Sequence, residues 1–232
     1  MRHILFDLDG TLLPMNQDEF VGYYFPMLAK RMEPYGYFAK EVIRAVWSGL
    51  AAMVMNDGQK TNEEVFWECF GQLIKVDRKE LEPEFLEFYN NEFNQAIQAT
   101  QPNPLAGQLI RELKERGDKV YLATNPIFPR CATLNRIRWA GLREEDFELI
   151  TTYEICRYSK PNPLYFQDIL EQFHLKPEEC LMVGNDVEED LAVRKLGVKT
   201  FLLTDCLENK KDLPIETEYQ GSMEELYRFL CE

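Results

Sequence analysis

Histidine is scarce in this chain of 232 residues, and acidic side chains outnumber basic ones. His3 and His174 are the only histidines, so catalysis by a histidine base is poorly supplied. Lys and Arg together number 26 against 40 Asp and Glu, which gives a formal net charge of −14. Such a field repels phosphate backbones and anionic lipid surfaces, so we expect no nucleic acid and no membrane among the partners.

Paired cysteines and long hydrophobic runs are also absent. None of the six cysteines forms a CxxC pair or stands next to a histidine, which argues against a disulfide framework or a zinc site. No apolar stretch approaches the roughly 20 residues that span a bilayer. The N-terminal MRHILFDLDG lacks the long apolar segment of a signal peptide. We therefore expect a cytoplasmic protein, and no feature of the sequence indicates its oligomeric state.

Strand patterns alternate with helical patterns from residue 103 onward, which predicts βαβ units and a parallel sheet. The predicted strands cover 3–6, 119–124, 147–152, 180–184 and 199–204. The predicted helices cover 128–141, 163–173, 187–197 and a final segment that starts at Ser222. Ser222 and Glu225 have capping-box spacing, whereas the acidic stretch 208–221 before them is expected to be a surface loop.

Residues 16–98 have apolar positions at helical spacing and show no strand pattern. Four helices are predicted there, over 18–32, 38–55, 61–74 and 81–97. We therefore predict an α/β protein whose doubly wound parallel-sheet core, 1–15 and 99–232, carries an all-helical insert after its first strand.

Polar residues follow several of the predicted strands. Asp7 and Asp9 come directly after the first strand, and Gly10 and Thr11 then form a tight turn with free N–H groups. Ligands of open α/β sheets bind beyond the carboxyl ends of the strands, where these residues lie. Taken alone, DxDG is also an ordinary turn signal.

Three further groups of residues fall at the same predicted edge of the sheet. Thr124 and Asn125 end a strand, and Lys160 precedes a helix. Asp186 and Asp190 follow another strand, four residues apart and so on one face of a helical turn. Helix capping or solvent exposure explains each one singly, but their coincidence favours a shared site.

Four carboxylates at one edge would repel each other strongly. Two unit charges about 4 Å apart repel by roughly 4 kcal/mol at an effective dielectric constant near 20. A hard divalent cation relieves this repulsion. Mg²⁺ with an octahedral oxygen shell suits Asp7, the main-chain carbonyl of Asp9, and Asp186.

The chain resembles the haloacid dehalogenase-like (HAD) hydrolase superfamily in four motifs that occur in order. They are DLDGT (7–11), ATN (123–125), SKP (159–161) and GNDVEED (184–190). The position of the helical insert resembles the cap of the phosphoglycolate phosphatase and β-phosphoglucomutase branch. The resemblance implies a Rossmann-like core and a cap at 16–98. Asn185 and Asn162 depart from the commoner family pattern and leave the local turn and hydrogen bonds open.

The resemblance also implies a role for each motif residue. Asp7 would attack phosphorus, and Asp9 would act as general acid and then as general base. Thr124 and Lys160 would hold phosphoryl oxygens. Asp186 would bind Mg²⁺, and Asp190 would orient metal-bound water or Lys160. The implied phosphate-binding residues are Gly10, Thr11, Thr124, Asn125 and Lys160, and the implied metal-site residues are Asp7, Asp9, Asp186 and Asp190.

These implications favour a Mg²⁺-dependent phosphatase that acts on a small phosphorylated metabolite. A phosphomutase on the same scaffold and a catalytically silent phosphate- or metal-binding regulatory module remain as alternatives. Substrate identity should depend on the cap. The cap residues that could face the pocket are Asn16, Gln17, Tyr23, Tyr24, Lys30, Arg31, Arg44 and Trp47.

Overall fold

The first strand, β1 (His3–Phe6), lies inside a six-stranded parallel sheet in the computed structural model, which describes residues 2–232. The other strands are β2 (Lys119–Leu122), β3 (Leu149–Ile150), β4 (Cys180–Gly184), β5 (Lys199–Leu203) and β6 (Tyr219–Gly221). Their order is β3-β2-β1-β4-β5-β6, and each neighbouring pair is parallel. The order reverses between β1 and β4, which is where open α/β sheets place a ligand.

Eight α-helices accompany the sheet within residues 2–232. They are α1 (Gln17–Met32), α2 (Ala39–Val54), α3 (Asn62–Ile74), α4 (Arg78–Asn90), α5 (Pro104–Glu115), α6 (Arg130–Trp139), α7 (Pro163–Gln172) and α8 (Met223–Cys231). The first four follow β1 directly, as the helical spacing predicts. The capping boxes predicted at Thr61 and Ser222 are confirmed, because each side chain accepts the N–H of the glutamate three residues later.

The helical segment leaves and re-enters the sheet domain at one point. Met15 and Thr100 form an antiparallel bridge. On either side of it, Asn16 N–H donates to Ala99 and Gln101 N–H donates to Pro14. The two chain segments that join the helices to the sheet domain, 14–16 and 99–101, are therefore hydrogen-bonded to each other.

Several predicted elements differ from the structure. The helix predicted over 187–197 is a turn followed by a short 3₁₀ segment, Leu191–Leu196. The fourth insert helix stops at Asn91, where φ −118° and ψ −88° leave the helical region, and a 3₁₀ segment, Glu92–Ala99, follows. The predicted loop 208–221 ends in β6, and α5 was absent from the sequence prediction. Within residues 2–232, no helix has the length and apolar character that a membrane crossing requires.

Candidate active site

Asp7 stands at the carboxyl end of β1, between β2 and β4. Its N–H donates to the Val183 carbonyl of β4, which continues the β1–β4 pairing by one residue. Asp7 as a whole is 8% exposed and lines a cavity. The parallel register of three strands thus holds the backbone from which Asp7 projects.

Lys160 lies behind Asp7 and is fully enclosed by protein. Its Nζ donates to Asp7 Oδ1 at 2.9 Å and to Asp190 Oδ1 at 2.6 Å. Burial alone would lower the pKa of this ammonium, but the carboxylates of Asp190 and Asp7 raise it well above its ordinary value. Lys160 is therefore a permanent cation that links two of the motifs.

Asp190 serves as an anchor for the loop after β4. Its Oδ2 accepts the N–H groups of Asn185 and Asp186, both at 2.9 Å. A Cβ on Gly184 would lie 2.1 Å from Asp190 Oδ2, so only glycine fits there. With both oxygens engaged, Asp190 orients Lys160 and the loop that carries Asp186. The same bonds fold residues 185–190 into a turn, which explains why no helix starts at 187.

Asn185 ties the first motif to the fourth. Its side-chain carbonyl accepts the Thr11 hydroxyl at 2.9 Å, and its amide donates to the Cys206 carbonyl at 2.8 Å. Gly10 has φ +82°, and a Cβ there would lie 2.3 Å from Asn185 Nδ2. Asn185 thus packs against the turn at Gly10 and leaves that turn intact. The other departure, Asn162, caps α7 by accepting the Leu164 N–H.

Asp9 forms an ion pair with Arg136 of α6, a residue that sequence reasoning missed. Arg136 is 1% exposed, and its Nη1 donates to Asp9 Oδ2. Asp9 Oδ1 is buried and has no hydrogen-bond partner within residues 2–232. Burial raises the pKa of Asp9, against the lowering effect of Arg136. The buried positions of α6 also include Thr133 and Asn135, so the sequence shows no clear apolar face on which Arg136 would stand out.

Glu189 is a second missed acid in the site. Its carboxylate accepts the Asn125 amide at 3.0 Å, which connects the second motif to the fourth. Burial, together with the nearby Asp186 and Asp190, raises the pKa of Glu189 to about 8. Glu189 lies within GNDVEED, but the sequence alone does not show that its carboxylate meets Asn125.

Thr124 lines the cavity at the end of β2. Its main-chain carbonyl accepts hydrogen bonds from the hydroxyls of Thr151 at 2.7 Å and Tyr165 at 2.9 Å. Both donors are buried, so they fix the backbone that carries Thr124 and Asn125. Asn125, Asp186, Glu189 and Asp190 also line the cavity. Gly10, Thr11 and Lys160 do not line it.

The oxygen atoms at this edge fit a hard cation. No group of three or more His, Cys, Asp or Glu side chains among the described residues is arranged to hold a metal ion by itself. The predicted Mg²⁺ shell needs only two side chains, because a main-chain carbonyl and water complete it. Asp186 Oδ1 accepts the N–H groups of Glu188 and Glu189, and Oδ2 accepts none from residues 2–232.

Charge at the edge also favours a cation. Burial raises the pKa of Asp186, and burial with the charges of Asp190 and Asp9 raises the pKa of Asp7 to about 7. The pKa of Asp7 is this high even with Lys160 in contact. A further positive charge would keep these carboxylates ionised at neutral pH.

A cavity of about 470 Å³ lies between this edge and the helices α1 to α4. Of the eight cap residues named from the sequence, Gln17, Tyr24 and Trp47 line it. Asn16 instead caps α1, and Arg31 pairs with Glu84 and Glu92. Tyr23, Lys30 and Arg44 do not line it.

Asn62 of α3 holds the helices against the sheet domain. This fully buried side chain donates to the Pro126 carbonyl at 3.1 Å and to the Ser159 hydroxyl at 3.0 Å. Its carbonyl accepts from Asn56 at 2.8 Å. Both contacts on the sheet side flank predicted site residues, Asn125 and Lys160.

Comparisons with known proteins point to one family. The family model for haloacid dehalogenase-like hydrolases matches residues 1–204. The pyrophosphatase PpaX of Bacillus cereus (strain G9842) is 25% identical over 197 residues, which cover 85% of this chain and 80% of that protein.

Solved structures resemble the whole chain. A HAD phosphatase from Thermococcus onnurineus superposes with a TM-score of 0.63 at 19% identity, over 99% of this chain and 98% of that chain. YfnB from Bacillus subtilis, in a form bound to magnesium, gives a TM-score of 0.61 at 22% identity, over 99% and 98%. At these identities the likeness establishes a common fold.

Proposed function

Because this chain belongs to the haloacid dehalogenase-like hydrolases, we propose that it is a Mg²⁺-dependent phosphatase that hydrolyses a small phosphomonoester through an aspartyl-phosphate. One observation carries the proposal. Asp7, Asp9 and Asp186 line one cavity, while Lys160 and Arg136 hold Asp7 and Asp9 from behind.

Asp7 is the proposed nucleophile. The Lys160 contact at Oδ1 fixes the orientation of the carboxylate toward the cavity. Attack forms a bond between Asp7 and phosphorus and breaks the bond between phosphorus and the leaving oxygen. One difficult displacement is thereby divided into two easier ones.

Asp9 is the proposed general acid and base. Arg136 engages Oδ2, so the unpartnered Oδ1 is the atom that exchanges a proton with the substrate. The raised pKa of Asp9 favours the protonated form that a general acid needs. It gives its proton to the leaving oxygen, then takes one from the water that attacks phosphorus. Inorganic phosphate leaves and Asp7 is regenerated.

Asp7, the Asp9 main-chain carbonyl and Asp186 would hold Mg²⁺. When bound, the ion supplies positive charge against the carboxylates and the phosphoryl oxygens. Thr124 and Asn125 are proposed to contact the phosphoryl group. Lys160 is proposed to offset its charge through Asp7. The magnesium-bound form of YfnB is consistent with this choice of metal.

The phosphomutase alternative receives less support. Turnover of a sugar bisphosphate requires a second phosphate site, away from Asp7. Among the described residues that line the cavity, helices α1 to α4 contribute no Lys or Arg. We therefore favour hydrolysis.

The test is phosphate release by purified protein from a panel of phosphomonoesters and pyrophosphate, with Mg²⁺ and with EDTA. We expect metal-dependent release, and we expect Asp7→Asn to reduce kcat by at least about 10⁴-fold, as loss of a nucleophile does. Asp57→Asn, on an exposed loop, is the matched control and should retain activity. Unchanged turnover by Asp7→Asn would refute the mechanism.

A further inference from the structure

The part of the cavity lining that α1 to α3 and the segment before α6 contribute is rich in aromatic rings. We define the aromatic wall as Phe20, Tyr24, Phe25, Trp47, Phe66 and Phe128, all of which line the cavity. Four of these residues come from α1 and α2, one comes from α3 and one precedes α6. The wall therefore belongs almost entirely to the helical segment.

Five of the six rings contact another ring of the wall, and Phe66 packs against Phe85 and Tyr153. The Phe128 ring centroid lies 6.1 Å from that of Phe20 and 5.7 Å from that of Tyr24, both edge-on. The Phe25 and Trp47 centroids are 5.2 Å apart. Edge-on packing fixes the positions of the rings, so the apolar surface exists before any ligand binds.

The phenol of the wall is already engaged. The Tyr24 hydroxyl is hydrogen-bonded to the Tyr89 hydroxyl at 2.8 Å. Burial raises the pKa of Tyr24 to about 12, so the phenol is neutral. Apart from the Trp47 indole N–H, the wall thus presents ring carbons to a ligand.

Positive charge is scarce in the cavity lining. Within residues 2–232, Lys210 is the single basic side chain that lines it. Lys210 is 70% exposed and pairs with Glu208 at 3.3 Å. Asp18 and Glu208 add negative charge to the lining. An anionic group on the substrate, other than the phosphoryl group, would be buried without a counter-ion at high cost.

We propose that the group released by this enzyme is an alcohol or phenol that carries no further negative charge and has an aromatic or bulky apolar body, which lies against the aromatic wall. The proposal rests on the phosphatase function above and names its substrate class. A cavity of about 470 Å³ has room for one such body beside the phosphoryl group. Pyrophosphate, carboxylated phosphoesters and sugar bisphosphates do not match the lining.

Two esters with similar leaving-group chemistry give the sharpest test. 2-Phenylethyl phosphate and ethyl phosphate both release a simple primary alcohol and differ by one phenyl ring. We expect kcat/KM to be about 100-fold higher for the phenyl compound, the gain from burying a ring of this size. Pyrophosphate and phosphoglycolate are the anionic comparisons, and each should be a poorer substrate than 2-phenylethyl phosphate.

Trp47 is the wall residue best suited to substitution. Its side chain is 51% exposed, so Trp47→Ala should not open a hole in the core. We expect the 100-fold ratio to fall at least about tenfold in this variant. Phe38→Ala is the matched control, because Phe38 is 75% exposed on the same helical segment and lies outside the cavity lining. Its ratio should equal that of the unchanged protein.

Equal kcat/KM for the two esters would overturn the proposal, as would higher kcat/KM for any charged comparison substrate. A ratio that survives Trp47→Ala unchanged would also overturn the assigned wall. Failure of the phosphatase function has a different signature, which is no Asp7-dependent phosphate release from any compound. Asp7-dependent hydrolysis of pyrophosphate in preference to 2-phenylethyl phosphate would leave the phosphatase intact and refute the substrate class.

Discussion

The two sides of the cavity differ in how their side chains are held. We call Asp7, Asp9, Lys160, Asp186 and Asp190 the catalytic edge. Its charged groups are joined to each other and to backbone N–H groups by directional bonds. The aromatic wall is held mainly by ring packing. A bonded network tolerates few substitutions, whereas packed rings can be exchanged for others of similar volume.

In the proposed function, this difference separates reaction from substrate choice. The catalytic edge contains the groups proposed to form and break bonds at phosphorus, and it rests on the sheet. The aromatic wall contains no such group and rests on the helices. Changes at the edge should therefore reduce turnover of every substrate, while changes at the wall should alter the ranking of substrates.

Lys160→Met should have the largest effect at the catalytic edge. It removes the cation between Asp7 and Asp190 and leaves two buried carboxylates uncompensated, which typically costs about 3–5 kcal/mol of stability. We expect a large fall in Tm and loss of turnover for all substrates alike. Lys176→Met, at an exposed lysine, is the control and should change neither property. Normal turnover in Lys160→Met would show that the activity of Asp7 does not depend on the ion pairs of Lys160 with Asp7 and Asp190.

Sequence reasoning was strongest where the chain repeats simple rules. β1, β4 and β5 and the capped starts of α3 and α8 were predicted correctly, because strand patterns and capping boxes are local signals. The region 187–197 was predicted wrongly as a helix. There the Asp190 side chain accepts the N–H groups of Asn185 and Asp186, and these bonds hold the segment in a turn.

The candidate site residues that follow strands could be predicted, because the carboxyl ends of parallel strands meet at one edge of the sheet. Arg136 and Glu189 were missed because their partners, Asp9 and Asn125, are 127 and 64 residues away along the chain. Of the wall, sequence reasoning named Tyr24 and Trp47 and missed the four phenylalanines for a related reason. Aromatic residues at helical spacing predict a packed face, but the pattern does not distinguish rings that face a core from rings that face a cavity.

Arg136→Met should have an intermediate effect that is specific to Asp9. Arg136 is proposed to act as a positioning residue, because its loss would free Asp9 Oδ2 to turn away from the substrate. We expect kcat/KM to fall about 100-fold, as for a displaced general acid. The fall should be equal for ethyl phosphate and 2-phenylethyl phosphate, because the wall is unchanged.

The pH profile of Arg136→Met provides the decisive readout. Arg136 lowers the pKa of Asp9, so its removal should raise that pKa further. A general acid is active only while protonated, and the alkaline limb of kcat/KM should therefore move to higher pH. Arg138→Met, on the exposed face of the same helix, should leave the limb in place. A shift to lower pH would contradict the assignment of Asp9 as the acid.

Phe128→Leu should have the smallest effect and tests the one ring that belongs to both sides. Its ring lies under the Arg136 guanidinium, with Cζ 4.4 Å from the centroid, and it also lines the cavity. Loss of the cation–π contact should cost about 1 kcal/mol, or about fivefold in kcat/KM for ethyl phosphate. 2-Phenylethyl phosphate should lose more, because it also loses a wall contact.

Combining Phe128→Leu with Arg136→Met separates the two roles of this ring. If the ring supports catalysis through Arg136, the ethyl phosphate effect of Phe128→Leu should vanish in the Arg136→Met background. The additional loss on 2-phenylethyl phosphate should persist there, because a wall contact does not depend on the guanidinium. Phe229→Leu, at a half-exposed ring of α8, is the control for a Phe-to-Leu change. If the two substitutions instead reduced kcat/KM for ethyl phosphate by the product of their single effects, Phe128 would act on the reaction without Arg136. Phe128 would then belong to the catalytic edge as well as to the aromatic wall.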